Sequence, residues 1–192
     1  LYDLDIETGD DAPLTEGFRA REATVLQDGR LVFIRATSAN TQLWLSDEKG
    51  KNPELLLDPP MGHRLSAPRT LKDAVIYSHR DNDGREWIEK LFLGNKAVTP
   101  LTSATKALTY QVMPAPENPN STNFFYSSTE NGPFNIYHFK DGKSEPVTLT
   151  TTSASGVCFD AHRNEIYYSR LTSTGFALER APVAKAPSAP KL

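Results

Sequence analysis

The segment Asp81-Asn82-Asp83-Gly84 has the residue types of a calcium loop. An EF-hand loop needs a third oxygen ligand before its glycine and a bidentate glutamate at its twelfth position. Counted from Asp81, the glycine comes too early and the twelfth residue is Phe92, which offers no ligand atom. Because Asn, Asp and Gly tolerate a positive φ, the segment predicts a hairpin turn.

Histidine and cysteine do not recur at the spacing of a zinc site. Cys158 and His162 are four residues apart, but they fall in a predicted strand and the turn after it, and no second pair accompanies them. We expect surface or half-buried positions for the four histidines, His63, His79, His138 and His162. Cys158, the single cysteine, lies in the apolar run from Gly156 to Phe159, which predicts a buried small side chain and excludes an internal disulfide.

No segment has the pattern of a nucleophile elbow or of a phosphate-binding glycine loop. The sequence therefore predicts no catalytic, no cofactor-binding and no metal-binding residue. Aromatic side chains offer a stacking platform for a sugar or a peptide, but most of them recur at repeat positions, which favours packing between repeats. They are Tyr2, Trp44, Tyr77, Trp87, Tyr126, Tyr137, Tyr167 and Tyr168.

The elements that position these residues come from an internal repeat. The repeat consists of an apolar-aromatic strand, a polar turn and a short strand that often ends in Leu-Thr. It recurs every 42 to 48 residues, which is about the length of one propeller blade. The apolar-aromatic strands start at Leu1, Leu43, Leu91 and Ile136, and a fifth, weaker copy starts near Phe176.

Two further strand types share this period. The first is rich in β-branched and aromatic residues and begins at Leu31, Ala74, Phe124 and Glu165. The second is weaker, precedes the first type, and predicts the innermost strand of each blade at residues 21–26, 64–69, 109–113 and 155–160. Four short strands joined by hairpins are one propeller blade. The predicted fold is thus an all-β propeller of four-stranded antiparallel blades, with about four blades visible.

The repeats divide residues 1–180 into segments 1–42, 43–90, 91–135 and 136–180, and the Pro/Ala-rich residues 181–192 predict an extended tail or linker. The chain has 192 residues and a formal net charge of −3, which gives no electrostatic reason to expect nucleic acid. No apolar run reaches the roughly 20 residues of a transmembrane helix.

The repeats resemble those of the TolB-like propellers, relatives of the WD-repeat propellers. The family motif has an Asp-Gly turn between the first two strands, as at Asp28-Gly29, and an apolar strand that ends near a serine, as at Ile76-Tyr77-Ser78. An "Ile-Tyr" strand and a final "Leu-Thr" follow, as at Ile136-Tyr137 and Leu149-Thr150. The resemblance implies a propeller of commonly six or more blades, often periplasmic or secreted, that is used for protein contacts.

These observations predict a non-enzymatic scaffold of the bacterial cell envelope that binds a protein partner and neither nucleic acid nor a cofactor. The connections that differ most between repeats, residues 59–63, 103–107 and 114–121, are the expected contact loops. Two alternatives are the substrate-access domain of a larger enzyme such as a prolyl-oligopeptidase-like peptidase, and a carbohydrate-binding or lyase propeller. A fifth apolar-aromatic strand is one too many for a closed four-bladed ring, so we expect these residues to be part of a larger propeller whose remainder covers the open edges.

Overall fold

The computed structural model describes residues 1–115 and 122–183, and these residues form seventeen β-strands and no helix. No element among them is an apolar helix that could span a membrane. The strands are β1 (Tyr2–Leu4), β2 (Asp11–Pro13), β3 (Ala20–Val25), β4 (Leu31–Ala36), β5 (Thr41–Ser46), β6 (Glu54–Leu57), β7 (Arg64–Leu71), β8 (Ala74–Arg80), β9 (Glu86–Phe92), β10 (Val98–Pro100), β11 (Thr109–Pro114), β12 (Phe124–Ser128), β13 (Asn135–Lys140), β14 (Lys143–Pro146), β15 (Ala154–Asp160), β16 (Glu165–Thr172) and β17 (Gly175–Pro182).

The strands form antiparallel sheets in sequence order, which confirms the predicted propeller blades. Strands β3–β6, β7–β10 and β11–β14 are three four-stranded sheets, here called blades one, two and three. Strands β15–β17 form a three-stranded sheet, blade four, and β1 pairs with β2. The first strands of consecutive blades lie against each other, which agrees with the innermost position predicted for them.

Each first strand contains a β-bulge at the same position. The pairing register between the first and second strands shifts by one residue after Arg21 in β3, after Ser66 in β7, and at the equivalent points of β11 and β15. The bulged residue has a left-handed backbone in every blade, with φ of 50° at Glu22, 50° at Ala67, 58° at Gln111 and 68° at Gly156. A bulge adds one residue to its strand and reverses the faces that later side chains occupy.

The bulges also connect neighbouring blades. The Ala67 amide donates a hydrogen bond of 2.6 Å to Glu22 Oε2, and the Gly156 amide donates one of 2.8 Å to Gln111 Oε1. In both cases the side chain of one bulged residue accepts from the backbone of the equivalent residue in the next blade. These hydrogen bonds therefore fix how the first strand of one blade is aligned along the first strand of the next.

A threonine after the fourth strand has the same structural role in blades two and three; Thr102 belongs to the motif Leu101-Thr102, whereas Thr148 lies just before Leu149-Thr150. After the fourth strand of blades two and three, the hydroxyls of Thr102 and Thr148 each accept a 2.9 Å hydrogen bond from the amides of Ile88 and Ile136, respectively. These amides belong to the third strands β9 and β13. The threonine thus satisfies a backbone donor that the short fourth strand leaves unpaired.

Apolar side chains form three clusters, each between two consecutive blades. Stacking blades buries both sheet faces, as repeat architectures require. Four of the eight aromatic residues singled out above are buried, namely Tyr77, Tyr126, Tyr137 and Tyr168. Trp44, Trp87 and Tyr167 are half-buried, while Tyr2 is 69% exposed, so fewer of them are fully buried than the repeat positions predicted.

The strand bounds differ from the predicted segments at the C-terminal side. Strand β17 continues to Pro182, which pairs with Glu165, so residues 181 and 182 of the predicted tail belong to a strand. Ala181 and Val183 pack against the apolar cluster between blades three and four, which explains the longer strand. A proline is tolerated here because β17 is the edge strand of its sheet. Residues 184–192 lie outside the described part of the chain.

The described residues contain no pairing between the first and last sheets: β1 pairs with β2, and β16 pairs with β15 and β17. Both sheets expose large apolar side chains, among them Tyr2, Leu4, Phe176 and Leu178. Strand β17 is the third strand of its blade, as the fifth apolar-aromatic repeat predicted.

Candidate functional site

A candidate binding site lies at the end of the blades where the first strands begin. At this end the first strands start, the second strands end, and the connections between blades arrive. A cleft of about 380 Å³ opens there between blades two and three and reaches blade one. This volume is within the roughly 300–1,000 Å³ of ligand pockets. We call it the strand-start cleft; Arg21, Arg64, Leu65, Ser66, Ser78, His79, Arg80, Glu86, Leu108, Thr109, Tyr110 and Phe134 line it.

One wall of the strand-start cleft is cationic. Arg64 begins β7 and Arg80 ends β8, and the two residues face each other in the ladder of blade two. Arg80 Nη1 lies 3.8 Å from Glu86 Oε1, a distant ion pair, while Arg64 has no ion pair with any described residue. Arg21 of blade one adds a third guanidinium, paired with Glu22 at 3.3 Å. Arg64 is thus an exposed charge available to a bound group.

The opposite wall is apolar and comes from blade three. Leu108 is 43% exposed at the start of β11. Tyr110 and Phe134 pack edge to face at 4.7 Å between ring centroids, and both are half-buried. Aromatic pairs of this geometry are rigid and bury large areas in protein interfaces.

Glu86 joins the two walls. It begins β9 in blade two, and its Oε2 accepts a hydrogen bond of 2.5 Å from the amide of Thr109 in blade three. The backbone of Glu86 also pairs with Thr105 in the connection between these blades. The separation of the walls is therefore set by hydrogen bonds and not by side-chain packing alone.

Behind the cationic wall lies a buried hydrogen-bond network around Glu89. Its Oε2 accepts from Tyr77 Oη at 2.9 Å and from His79 Nδ1 at 2.8 Å, while Oε1 accepts from Trp87 Nε1 at 2.7 Å. Glu89 and His79 are both 8% exposed. Burial raises the pKa of Glu89, but the hydrogen bonds from His79, Trp87 and Tyr77 outweigh it and hold the pKa below its ordinary value.

The network continues to the connection between blades one and two. His79 Nε2 lies 2.9 Å from Nδ1 of His63, the residue before β7. With Nδ1 donating to Glu89, the neutral form of His79 accepts from His63. Both ring nitrogens of His79 are thus engaged in holding the cleft floor.

Burial raises the pKa of Tyr77 far above its ordinary range, because the hydroxyl is enclosed and hydrogen-bonded to a carboxylate. Tyr77 is therefore a neutral donor at any physiological pH. The arrangement as a whole is a positioning network: one carboxylate orients three side chains on two neighbouring strands.

The structure corrects two predictions for individual residues. His79 is buried, not at the surface or half-buried, because the Glu89 carboxylate stabilises its ring inside blade two. Cys158 is exposed, not buried. The bulge at Gly156 gives the inward position to Val157 and turns the next side chain outward. His63 and His138 are half-buried and His162 is exposed, as expected.

Asp81-Asn82-Asp83-Gly84 forms the predicted hairpin turn, between β8 and β9. The Gly84 amide donates to the Asp81 carbonyl at 3.1 Å, and Arg85 pairs with Asp81 at 2.8 Å and with Asp83 at 3.1 Å. Within residues 1–115 and 122–183, no three His, Cys, Asp or Glu side chains converge in a way that could hold a metal ion.

Two of the three predicted contact loops lie at the end of the strand-start cleft. Residues 59–63 connect β6 to β7, and residues 103–107 connect β10 to β11. Of the third loop, residues 114 and 115 lie at the opposite end, where β11 ends, and residues 116–121 lie outside the described residues. The arginines that line the cleft, Arg21, Arg64 and Arg80, were not predicted as site residues, because they are far apart in the sequence and meet only in the folded blades.

Comparisons with known proteins give the fold. No protein-family model matches the chain, and no curated protein does. A crystal structure of TolB from Acinetobacter baumannii is similar, with a TM-score of 0.75 and 14% identity over 93% of this chain and 45% of that one. An oligogalacturonate lyase in complex with manganese has a TM-score of 0.70 and 17% identity over 93% of this chain and 52% of that one.

A prolyl endopeptidase structure is also similar, with a TM-score of 0.65 and 9% identity over 95% of this chain and 30% of that one. The chain therefore spans about half the length of the TolB and lyase chains, and less of the peptidase. Identities this low show a shared fold.

Proposed function

We propose that this chain, whose fold is that of a TolB-like β-propeller, is a non-enzymatic scaffold that binds a protein partner through the strand-start cleft. The observation that carries the proposal is the cleft itself. It places the exposed Arg64, which has no ion pair with any residue that the structure describes, opposite the apolar wall of Leu108, Tyr110 and Phe134. Arginine and aromatic side chains are the residue types most enriched at the centres of protein interfaces.

The polar groups of the cleft support binding over chemistry. A general base needs a nitrogen or oxygen free to reach a substrate proton. Both ring nitrogens of His79 are engaged with Glu89 and His63, and the carboxylate of Glu86 accepts from the Thr109 amide. These groups hold the walls in place, which is what a binding surface requires.

The family resemblance supports a location in the bacterial cell envelope, either periplasmic or secreted. Fractionation of cells that produce the full-length protein tests this part of the proposal. Recovery in the periplasm or the medium is the expected result, and recovery in the cytosol alone contradicts it.

Site-specific photo-crosslinking tests the proposed function. A photo-reactive residue at Leu108 faces the cleft, whereas one at Lys49 lies in the exposed turn between β5 and β6 at the opposite end and serves as a control. The expected result is a discrete crosslinked protein at Leu108 that is absent at Lys49. Equal labelling at both positions, or none at Leu108, overturns the proposal.

The peptidase and lyase alternatives predict different outcomes. A propeller that gates an enzyme is encoded with a hydrolase domain that contains a Gly-x-Ser-x-Gly turn. The sequence of the full-length gene separates this alternative from the scaffold. A lyase or sugar-binding propeller would bind an acidic oligosaccharide, which a glycan array detects.

A further inference from the structure

We infer that the strand-start cleft binds an extended segment of a partner protein in which acidic and apolar side chains alternate. The inference rests on the proposed function and names the chemistry of its partner. Three features of the cleft carry it: the opposition of the two walls, the local charge, and the room along the first strands.

The two walls face each other across one opening. Arg64 and Arg80 come from blade two, while Leu108, Tyr110 and Phe134 come from blade three or the turn that precedes β13. In an extended segment, successive side chains point to opposite sides. A segment that lies between the walls therefore presents every second side chain to the arginines and the others to the aromatic pair.

The local charge favours carboxylates over ammonium groups. Arg21, Arg64 and Arg80 meet two carboxylates, those of Glu22 and Glu86, so one guanidinium charge is left over in a chain whose net charge is −3. Both carboxylates are already engaged with backbone amides, Glu22 with Ala67 and Glu86 with Thr109. An incoming carboxylate can form a bidentate hydrogen bond with Arg64, a geometry that guanidinium matches.

The cleft continues along the first strands. A second opening of about 470 Å³ lies at the level of the bulges, and Ser66 and Tyr110 line both openings. Glu22, Ala67 and Gln111 also line this second opening. An extended segment that enters the cleft has room to run on toward the bulges.

Binding of synthetic peptides tests the inference. The probes are two short fluorescent peptides of identical composition, one with alternating glutamate and phenylalanine and one with the glutamates and phenylalanines in separate blocks. A third peptide replaces glutamate by lysine. Fluorescence anisotropy with the whole protein measures each affinity.

Two variants probe the walls, and one serves as a matched control. Arg64→Glu reverses the charge of the cationic wall at Arg64, and Leu108→Ser removes an exposed apolar side chain. Arg163→Glu makes the same charge change in the exposed turn between β15 and β16, at the opposite end of the blades. Circular dichroism of every variant verifies that it folds like the parent.

The alternating acidic peptide is expected to bind most tightly. Arg64→Glu should weaken this binding by about tenfold or more, because a charge-assisted hydrogen bond is lost and a repulsion is added. Leu108→Ser should weaken it severalfold and Arg163→Glu should leave it unchanged. Added salt should weaken binding to the parent protein.

Three results overturn the inference: no binding of the alternating peptide, equal binding of the alternating and block peptides, or an equal effect of the changes at Arg64 and Arg163. The proposed function fails separately, by the absence of a crosslinked protein at Leu108. If a protein is crosslinked at Leu108 but Arg64→Glu does not change peptide binding, the proposed scaffold function stands and the acidic, alternating segment is rejected.

Discussion

Replacement of Glu89 by leucine should destabilise the protein through the side chains that the carboxylate orients. The change removes the acceptor of Tyr77 Oη, His79 Nδ1 and Trp87 Nε1. Tyr77 and His79 are buried, and each buried donor left without an acceptor costs about 1–3 kcal/mol. Trp87 is half-buried and can reach water, so it adds little.

The expected loss for Glu89→Leu is about 3 kcal/mol of unfolding free energy, because the buried leucine recovers part of the cost of two orphaned donors. Urea denaturation followed by far-ultraviolet circular dichroism measures this loss as a lower midpoint at unchanged slope. Glu48→Leu, in an exposed turn, is the control and should stay within about 0.5 kcal/mol of the parent.

The double variant gives the sharper result. Tyr77→Phe alone should cost about 1–2 kcal/mol, because it removes a hydrogen bond to a carboxylate. In the Glu89→Leu background the same change should stabilise the protein by about 1 kcal/mol, since it removes an orphaned hydroxyl. An equal cost of Tyr77→Phe in both backgrounds would refute the shared-acceptor network.

Three further predictions follow from single positions. Because the pKa of Glu89 is lowered in the folded protein, its ionised carboxylate stabilises the fold at a pH above the ordinary glutamate pKa, and this stabilisation is lost as the pH falls through the lower, folded-state pKa. Unfolding free energies of the parent and of Glu89→Gln, measured over an acid pH series, should therefore converge as the pH falls through that folded-state value. Gly156→Ala should lower the unfolding free energy by about 1 kcal/mol in thermal unfolding, because a φ of 68° strains any residue with a side chain. Steric contact adds little, since an added Cβ would meet only Ser169 Oγ, at 3.9 Å. Gly94→Ala is the control and should cost less, because a Cβ at Gly94 would meet open space. Thr102→Val should destabilise the protein by about 1–2 kcal/mol, because the Ile88 amide loses its acceptor, and faster hydrogen exchange of that amide would confirm the cause.

The blades could be predicted from the sequence because each strand type has a characteristic composition that recurs at the period of the repeat. Third strands were recognisable even at Phe176, where β17 has a weak pattern and stands exposed. The motif Leu101-Thr102 was visible in the sequence, but the role of its threonine was not, since the Thr102 hydroxyl accepts a hydrogen bond from an amide fourteen residues away.

Strand register explains what the sequence could not show. His79 faces Trp87 and Tyr77 faces Glu89 across the ladder between β8 and β9. These pairings depend on how many residues the intervening turn takes, and a shift of one residue would move every side chain to the other face. The burial of His79 follows from this register.

The bulges account for the wrong prediction at Cys158. Strict alternation from the buried Ala154 would place Cys158 on the same face. The left-handed residue Gly156 interrupts the alternation, so Val157 is buried instead. The strand-start cleft was missed for a related reason: its arginines and aromatic residues belong to three blades and meet only through the stacking of the sheets.

Hydrogen exchange on the complex with the partner crosslinked at Leu108 tests the central claim most directly. Binding in the strand-start cleft should protect the amides of residues 64–66, 78–86 and 108–110, which line it or adjoin it. The turns at the opposite end, residues 26–30 and 72–73, should exchange as in the free protein. Protection of those turns, with unchanged exchange around the cleft, would contradict the account.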